Sequence, residues 1–179
     1  TDYKRKGFYY PMAFVAAIAE GLILFEKNKT LTKFKIQCKS YPDNLKNKIL
    51  AEEKGFLEYY QDRMGMAVYR NDYIYFNDLV NLFIDSTLQT TFAYNKVYFY
   101  SKKEIDKKIR NLKYKPDELF NNIAQLIKIE DNIETYAQKK ELAKQITLSL
   151  EKYNSDLPDF TNNPPANDSI YSVAKKNWL

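Results

Sequence analysis

The run FYYPMAFVAAIAEGLILF, from Phe8 to Phe25, follows Lys4-Arg5-Lys6 and is the longest apolar stretch in the chain. A membrane-spanning helix takes about 20 mostly apolar residues, and a cleaved leader has a shorter apolar region ending in small residues. Pro11 suits a first helical turn, where its missing N–H is not needed. The helix from Pro11 to Phe25 is then 15 residues long and contains Glu20. Glu26-Lys27-Asn28-Lys29 follows directly and does not look like a cut site. Length and charge thus favour a core helix of a soluble domain over a span or a leader, and a membrane is not an expected partner. Being apolar nearly all round, the helix is expected at the centre of the domain.

Several kinds of chemistry are excluded by what the chain lacks. It has no histidine, so Ser-His-Asp triads, Cys-His pairs and histidine zinc sites cannot be built from it alone. Its four glycines form no phosphate-binding fingerprint, and no cofactor is expected. The single cysteine, Cys38, cannot close an internal disulfide, which suits a reducing, cytoplasmic setting. Sixteen Tyr and eleven Phe supply large buried areas, and the tyrosines carry polar tips that seek partners. The Lys, Asn, Tyr and Ile bias suits a bacterial, phage or viral source.

Along the chain, Thr30 to Cys38 alternates well enough for a half-buried strand with Lys33, Lys35 and Lys39 outward. From Pro42-Asp43 a helical stripe runs through Leu45, Ile49, Leu50, Phe56, Leu57 and Tyr60 to a glycine cap near Met64-Gly65. Met66 to Phe76 reads as two short strands around a turn at Arg70-Asn71-Asp72. Asn77 then caps a helix with Leu79, Val80, Phe83 and Ile84 inward. Thr87 to Phe92 and Lys96 to Tyr100 form a second candidate β pair around Tyr94-Asn95, and Ser101 caps a basic helix to Tyr114 with Glu104 completing a capping box. Two helices follow, one from Pro116 through Leu119, Phe120, Ile123, Leu126 and Ile127, the other from Asp131 to about Tyr153. The expected fold is α+β: a helix-rich single domain over residues 1–153, with short antiparallel β pairs and a C-terminal helical pair. Residues 154–179, punctuated by Pro and Asn, are expected to form an extended tail.

The net charge of +5 is unevenly distributed. Residues 27–48 hold seven Lys against Asp43, a balance of +6, and residues 95–115 hold eight Lys or Arg against Glu104 and Asp106, again +6. Residues 49–94 and 116–163 each come to −4. Side by side, the two basic segments would attract phosphates, with Tyr98 and Tyr100 available to stack on bases. The nucleic-acid-binding candidates are therefore Lys33, Lys35, Lys39, Tyr98, Tyr100, Lys102, Lys103, Lys107, Lys108 and Arg110. The order helix, strand, helix, hairpin is also compatible with a winged helix in which Tyr69 to Phe76 is the wing.

The leading expectation is a non-enzymatic nucleic-acid-associated module. The first alternative is an interaction or assembly subunit that docks a protein partner through residues 154–179, with Tyr171 and Trp178 as anchors. The second is a metal-dependent nuclease in which Asp43 and Glu52 hold Mg²⁺ and Lys54 orients water, although these residues fall on the polar side of a helical pattern. Otherwise no catalytic or metal-binding residue is expected. Glu20 should pair with an Arg, Arg63 or Arg70 being candidates, or with a Tyr hydroxyl, and Cys38 should behave as a small buried hydrophobe.

Overall fold

A computed structural model describes residues 12–130 and 132–154. All regular structure in that range is helical: α1 (Met12–Glu20), α2 (Thr30–Lys39), α3 (Asp43–Tyr69), α4 (Tyr73–Tyr94), α5 (Ile105–Arg110), α6 (Leu119–Lys128) and α7 (Ile133–Asn154). No described residue is in a strand, so the α+β assignment and both β pairs are corrected to an all-helical fold. Without strands there is no wing, and the winged-helix arrangement falls with them.

The longest helix, α3, was expected to stop at Gly65, yet Met64 and Ala67 continue its buried stripe below Tyr60 at spacings of four and three. The turn at Arg70-Asn71-Asp72 is where the sequence placed it, but it joins two helices. Asn71 takes the left-handed conformation with φ 55°. The Asp72 N–H reaches the Ala67 carbonyl at 2.9 Å and the Asn71 N–H reaches that of Val68 at 3.1 Å, which is the Schellman pattern for ending a helix. Asp72 then caps α4 by accepting from the Tyr75 N–H at 3.2 Å, a role expected of Asn77.

Running back along α3, α4 is the central element. Leu79, Val80, Phe83 and Ile84 are buried as expected, and from Ser86 to Ala93 every residue is buried, which no surface strand would allow. The same Schellman closure ends α4 at Lys96, φ 55°, with the Val97 N–H on the Phe92 carbonyl at 3.0 Å. The expected hairpin at Tyr94-Asn95 is thus another helix terminus.

The C-terminal helical pair forms near its predicted places. Leu119, Ile123 and Leu126 of α6 are buried, whereas Ile127 is exposed. Asn132 caps α7 through Oδ1, which accepts from the Thr135 N–H at 3.0 Å. Tyr136, Leu142, Ala143, Ile146 and Leu150 of α7 join the core. Antiparallel to α3, α7 brings Thr147 to Gln61 at 2.8 Å, and its Tyr136 ring lies 4.1 Å from that of Phe76 on α4. Each fully buried Leu, Ile, Phe or Met side chain contributes about 1.5–3 kcal/mol to this core.

The first apolar helix departs most from expectation. Ending at Glu20 rather than Phe25, α1 buries Met12, Ala16 and Ala19 and leaves Phe14 and Ile18 exposed. It packs against α2 at the edge of the bundle rather than at its centre. The predicted strand over Thr30 to Cys38 is α2, because Leu31, Phe34 and Cys38 also satisfy helical spacing and Lys, Leu and Gln are good helix formers. Glu26 holds the start of α2, its carboxylate accepting from the Thr32 N–H at 3.0 Å and from the Thr32 hydroxyl. These bonds favour the ionised form and lower the Glu26 pKa. No helix among the described residues is long and apolar enough to cross a membrane.

Candidate nucleic-acid interface

The two basic segments are far apart in sequence but meet at one end of the bundle. The start of α3 and the end of α4 lie together there, since α3 and α4 form an antiparallel hairpin. Three contacts tie the segments across this end. Lys96 pairs with Asp43 at 2.6 Å, the Tyr41 and Tyr98 rings sit 4.7 Å apart, and the Tyr98 hydroxyl approaches the Ser40 carbonyl at 3.4 Å. Lys46 adds a cation over the Tyr94 ring at 5.0 Å.

Residues 95–115 form a closed loop rather than the long basic helix expected from Ser101 to Tyr114. Asn95 clamps its base, donating to the Tyr114 carbonyl at 2.6 Å and accepting from the Tyr114 N–H at 2.8 Å. Phe99, Ile109 and Leu112 anchor the loop in the core. Glu104 adopts φ 51°, so the helix begins only at Ile105 and the expected capping box does not form. Ser101 instead accepts from the Lys103 N–H at 3.0 Å.

With the backbone anchored by apolar side chains, the charged ones face outward to different degrees. Lys33, Lys39, Lys103 and Lys107 are exposed. Lys35 donates to the Gly21 carbonyl, and Lys102 pairs with Asp85 at 2.8 Å. Lys108 lies over the Tyr100 ring at 4.4 Å and Arg110 over the Phe120 ring at 5.8 Å. The tyrosines expected to stack on bases are half-buried struts. Tyr100 donates to Glu20 at 2.8 Å, which places a Tyr hydroxyl rather than Arg63 or Arg70 beside that carboxylate. This bond, then burial and the charges of Glu20 and Glu104, raise the Tyr100 pKa. Burial, then Cys38 beside it on α2, raises that of Tyr98, and Cys38 itself is half-buried rather than buried as expected. Burial first, then Tyr98, pushes Tyr41 well above the ordinary tyrosine value.

The nuclease candidates do not converge. Asp43 and Glu52 are nine residues apart on one helix, which sets them roughly half a turn out of phase and about 13 Å apart along the axis. Asp43 is exposed and paired with Lys96, while Glu52 pairs with Lys48 at 3.8 Å. Lys54 is exposed. Among the described residues no group of three or more His, Cys, Asp or Glu side chains could hold a metal ion. Tyr171 and Trp178 lie outside the described residues.

Sequence reasoning missed the polar interior between α3 and α4. Glu53 is fully buried, and Tyr60 on the next turns lies close to Glu53, Asp85 and Ser86. Burial, then the charges of Glu53 and of Tyr59 and Asp85, push the Tyr60 hydroxyl up to about 12, partly offset by the nearby Ser86 hydroxyl. A group raised in the folded state supports stability fully below its unfolded pKa of about 10 and loses that support as pH climbs toward the folded value. Tyr60→Phe should therefore lose less stability between about pH 10 and 12 than the wild type, read from urea midpoints across that range. The amphipathic period that places Glu53 three residues before Phe56 and four before Leu57 was the available signal for its burial.

No curated protein and no solved structure matches the chain. A match to the family described as "Domain of unknown function (DUF4037)" covers residues 9–103, which takes in α1 to α4, Tyr98, Tyr100, Lys102 and Lys103. Because that match spans more than half of the 179 residues, the chain belongs to this family.

Proposed function

We propose that the basic end of the bundle binds the phosphate backbone of nucleic acid, as a non-enzymatic cytoplasmic module. The observation that carries this reading is the convergence of two segments, each with a balance of +6, through the Asp43–Lys96 pair and the Tyr41–Tyr98 contact. Lys33, Lys39, Lys103 and Lys107 supply mobile ammonium groups on both segments. Because Tyr98 and Tyr100 are engaged as struts, affinity comes from charge and carries little sequence preference.

The test is a titration of nuclease-treated protein against labelled single- and double-stranded DNA and RNA at several salt concentrations, with and without Mg²⁺. The expected result is binding whose log K falls linearly with log salt, at a slope of about −0.9 per phosphate neutralised on duplex DNA. Absence of binding at low salt overturns the reading, and cleavage would transfer it to an enzyme.

A protein-docking function is the second reading, favoured by the exposed apolar residues of α1, α2 and their connection. Leu22, Leu24 and Phe25 are 88%, 93% and 83% exposed, far beyond what scattered surface apolar residues require.

A further inference from the structure

The connection between α1 and α2 is the most apolar exposed part of the described fold. Leu22, Leu24 and Phe25 project from it, with Ile18 on one side and Leu31 and Phe34 on the other. Contiguous apolar surface of this kind marks an interaction site. Glu20 and Glu26 bracket this stretch directly, and Lys27, Lys29, Lys33 and Lys35 follow, so an occupant should set basic groups beside its apolar ones and acidic groups next to those.

Residues 155–179 of the same chain fit that description. Their first part, from Ser155 to Asp168, carries Asp156, Asp159 and Asp168 with no Lys or Arg. Their second part carries Ile170, Tyr171, Val173, Trp178 and Leu179, with Lys175 and Lys176 between the two aromatic residues to face Glu20 and Glu26. Geometry starts this segment in the right direction. Thr147 is bonded to Gln61, and Glu151 shares a surface cleft with Glu58, so α7 ends beside the middle of α3 and points toward the α3 N-terminus. From there to Asp43 is about 18 Å at a helical rise of 1.5 Å per residue. The chain from Ser155 to Ile170 can reach about 50 Å when fully extended, enough to pass the α3 N-terminus and arrive at the α1–α2 connection.

We propose that residues 155–179 fold back over the α1–α2 hairpin. The acidic part runs along the lysines of residues 27–48, where it competes with nucleic-acid phosphate, and Tyr171 and Trp178 cover Leu22, Leu24 and Phe25.

Trp178 is the only tryptophan in the chain, so its fluorescence reports the docking directly in the full-length protein. Compared with the free peptide 155–179, the protein should show a blue-shifted emission maximum and a several-fold smaller acrylamide quenching constant, both independent of protein concentration. Leu24→Asp with Phe25→Asp changes side chains that are already exposed, so helicity should persist while emission and quenching move to the values of the peptide. Asp156→Asn, Asp159→Asn and Asp168→Asn together should produce a partial shift in the same direction, without touching the helical domain. The proposal is overturned if Trp178 behaves as in the free peptide, or if a blue shift survives both sets of substitutions. A blue shift that appears only as protein concentration rises assigns the surface to a second copy. One that appears only with anionic phospholipid vesicles assigns it to a membrane surface. Either result also overturns the proposal.

Discussion

Phe76→Ala should lower the unfolding free energy by about 3–5 kcal/mol, the usual cost of emptying a buried phenylalanine site. Phe76 is fully buried in the first turn of α4, with its ring 4.1 Å from that of Tyr136 on α7. Tyr73 reaches the same Tyr136 ring at 5.5 Å, so the position joins the start of α4 to the start of α7. The cavity would open where two long helices are held by their own hydrogen bonds, leaving little freedom to collapse around it. A domain with about 5–15 kcal/mol of total stability would lose about a fifth or more of it. The expected signature is a large drop in urea midpoint with an unchanged denaturant slope. Ile36→Ala on α2 removes a side chain that is 66% exposed and should change stability by no more than about 0.5 kcal/mol. Had residues 66–76 formed a surface hairpin, the cost at Phe76 would be nearer that of Ile36. The comparison therefore tests the helical arrangement as well as the site.

The second large effect concerns binding. Reversing Lys33, Lys39, Lys103 and Lys107 to Glu should cut the slope of log K against log salt by roughly 3.6, from four lost phosphate contacts at about 0.9 each. At 0.1 M salt that corresponds to a loss of about a thousandfold or more. The four residues are exposed, so far-UV circular dichroism and thermal midpoint should stay close to those of the wild type. Lys140→Glu provides the control, since Lys140 lies against Gly65 toward the other end of α3. From Asp43 to Gly65 is about 33 Å along the helix, several Debye lengths at physiological ionic strength. If Lys140→Glu weakens binding as much as reversal of any one of the four lysines alone, the attraction belongs to net charge and the basic end has no special role.

What could be read from the sequence depended on how far a pattern extended. The stripes of α3, α6 and α7 run through several turns, and a strand cannot satisfy spacings of three and four over that length. Residues such as Leu119, Ile123 and Leu126 were therefore assigned correctly to the interior. Turn chemistry was legible as well. Arg70-Asn71-Asp72 and Tyr94-Asn95 break the chain near where they were expected to, because a helix end uses the left-handed region in the way a hairpin turn does, at Asn71 in the first and at Lys96, one residue on, in the second. The charge map also came from sequence alone, since counting lysines needs no coordinates.

Tertiary packing decided the rest. Thr30 to Cys38 and Met66 to Phe76 satisfy both periods over short runs, and local propensity separates the two by less than one buried side chain contributes. Placing α4 at the centre required α3 and α7 on its sides, which made Ser86 to Ala93 buried throughout and excluded a half-exposed strand. The opening apolar run was expected at the centre for its composition, but the interior is filled by longer helices and α1 sits at the rim. The candidate interface shows the same division. Sequence determined that residues 27–48 and 95–115 are basic, while only the antiparallel pairing of α3 and α4 brought them to one end. It also decided which lysines face water and which are held by Asp85, Tyr100 or a backbone carbonyl. Composition is a property of the chain, but proximity between distant segments arises only when helices choose their neighbours by burying complementary faces.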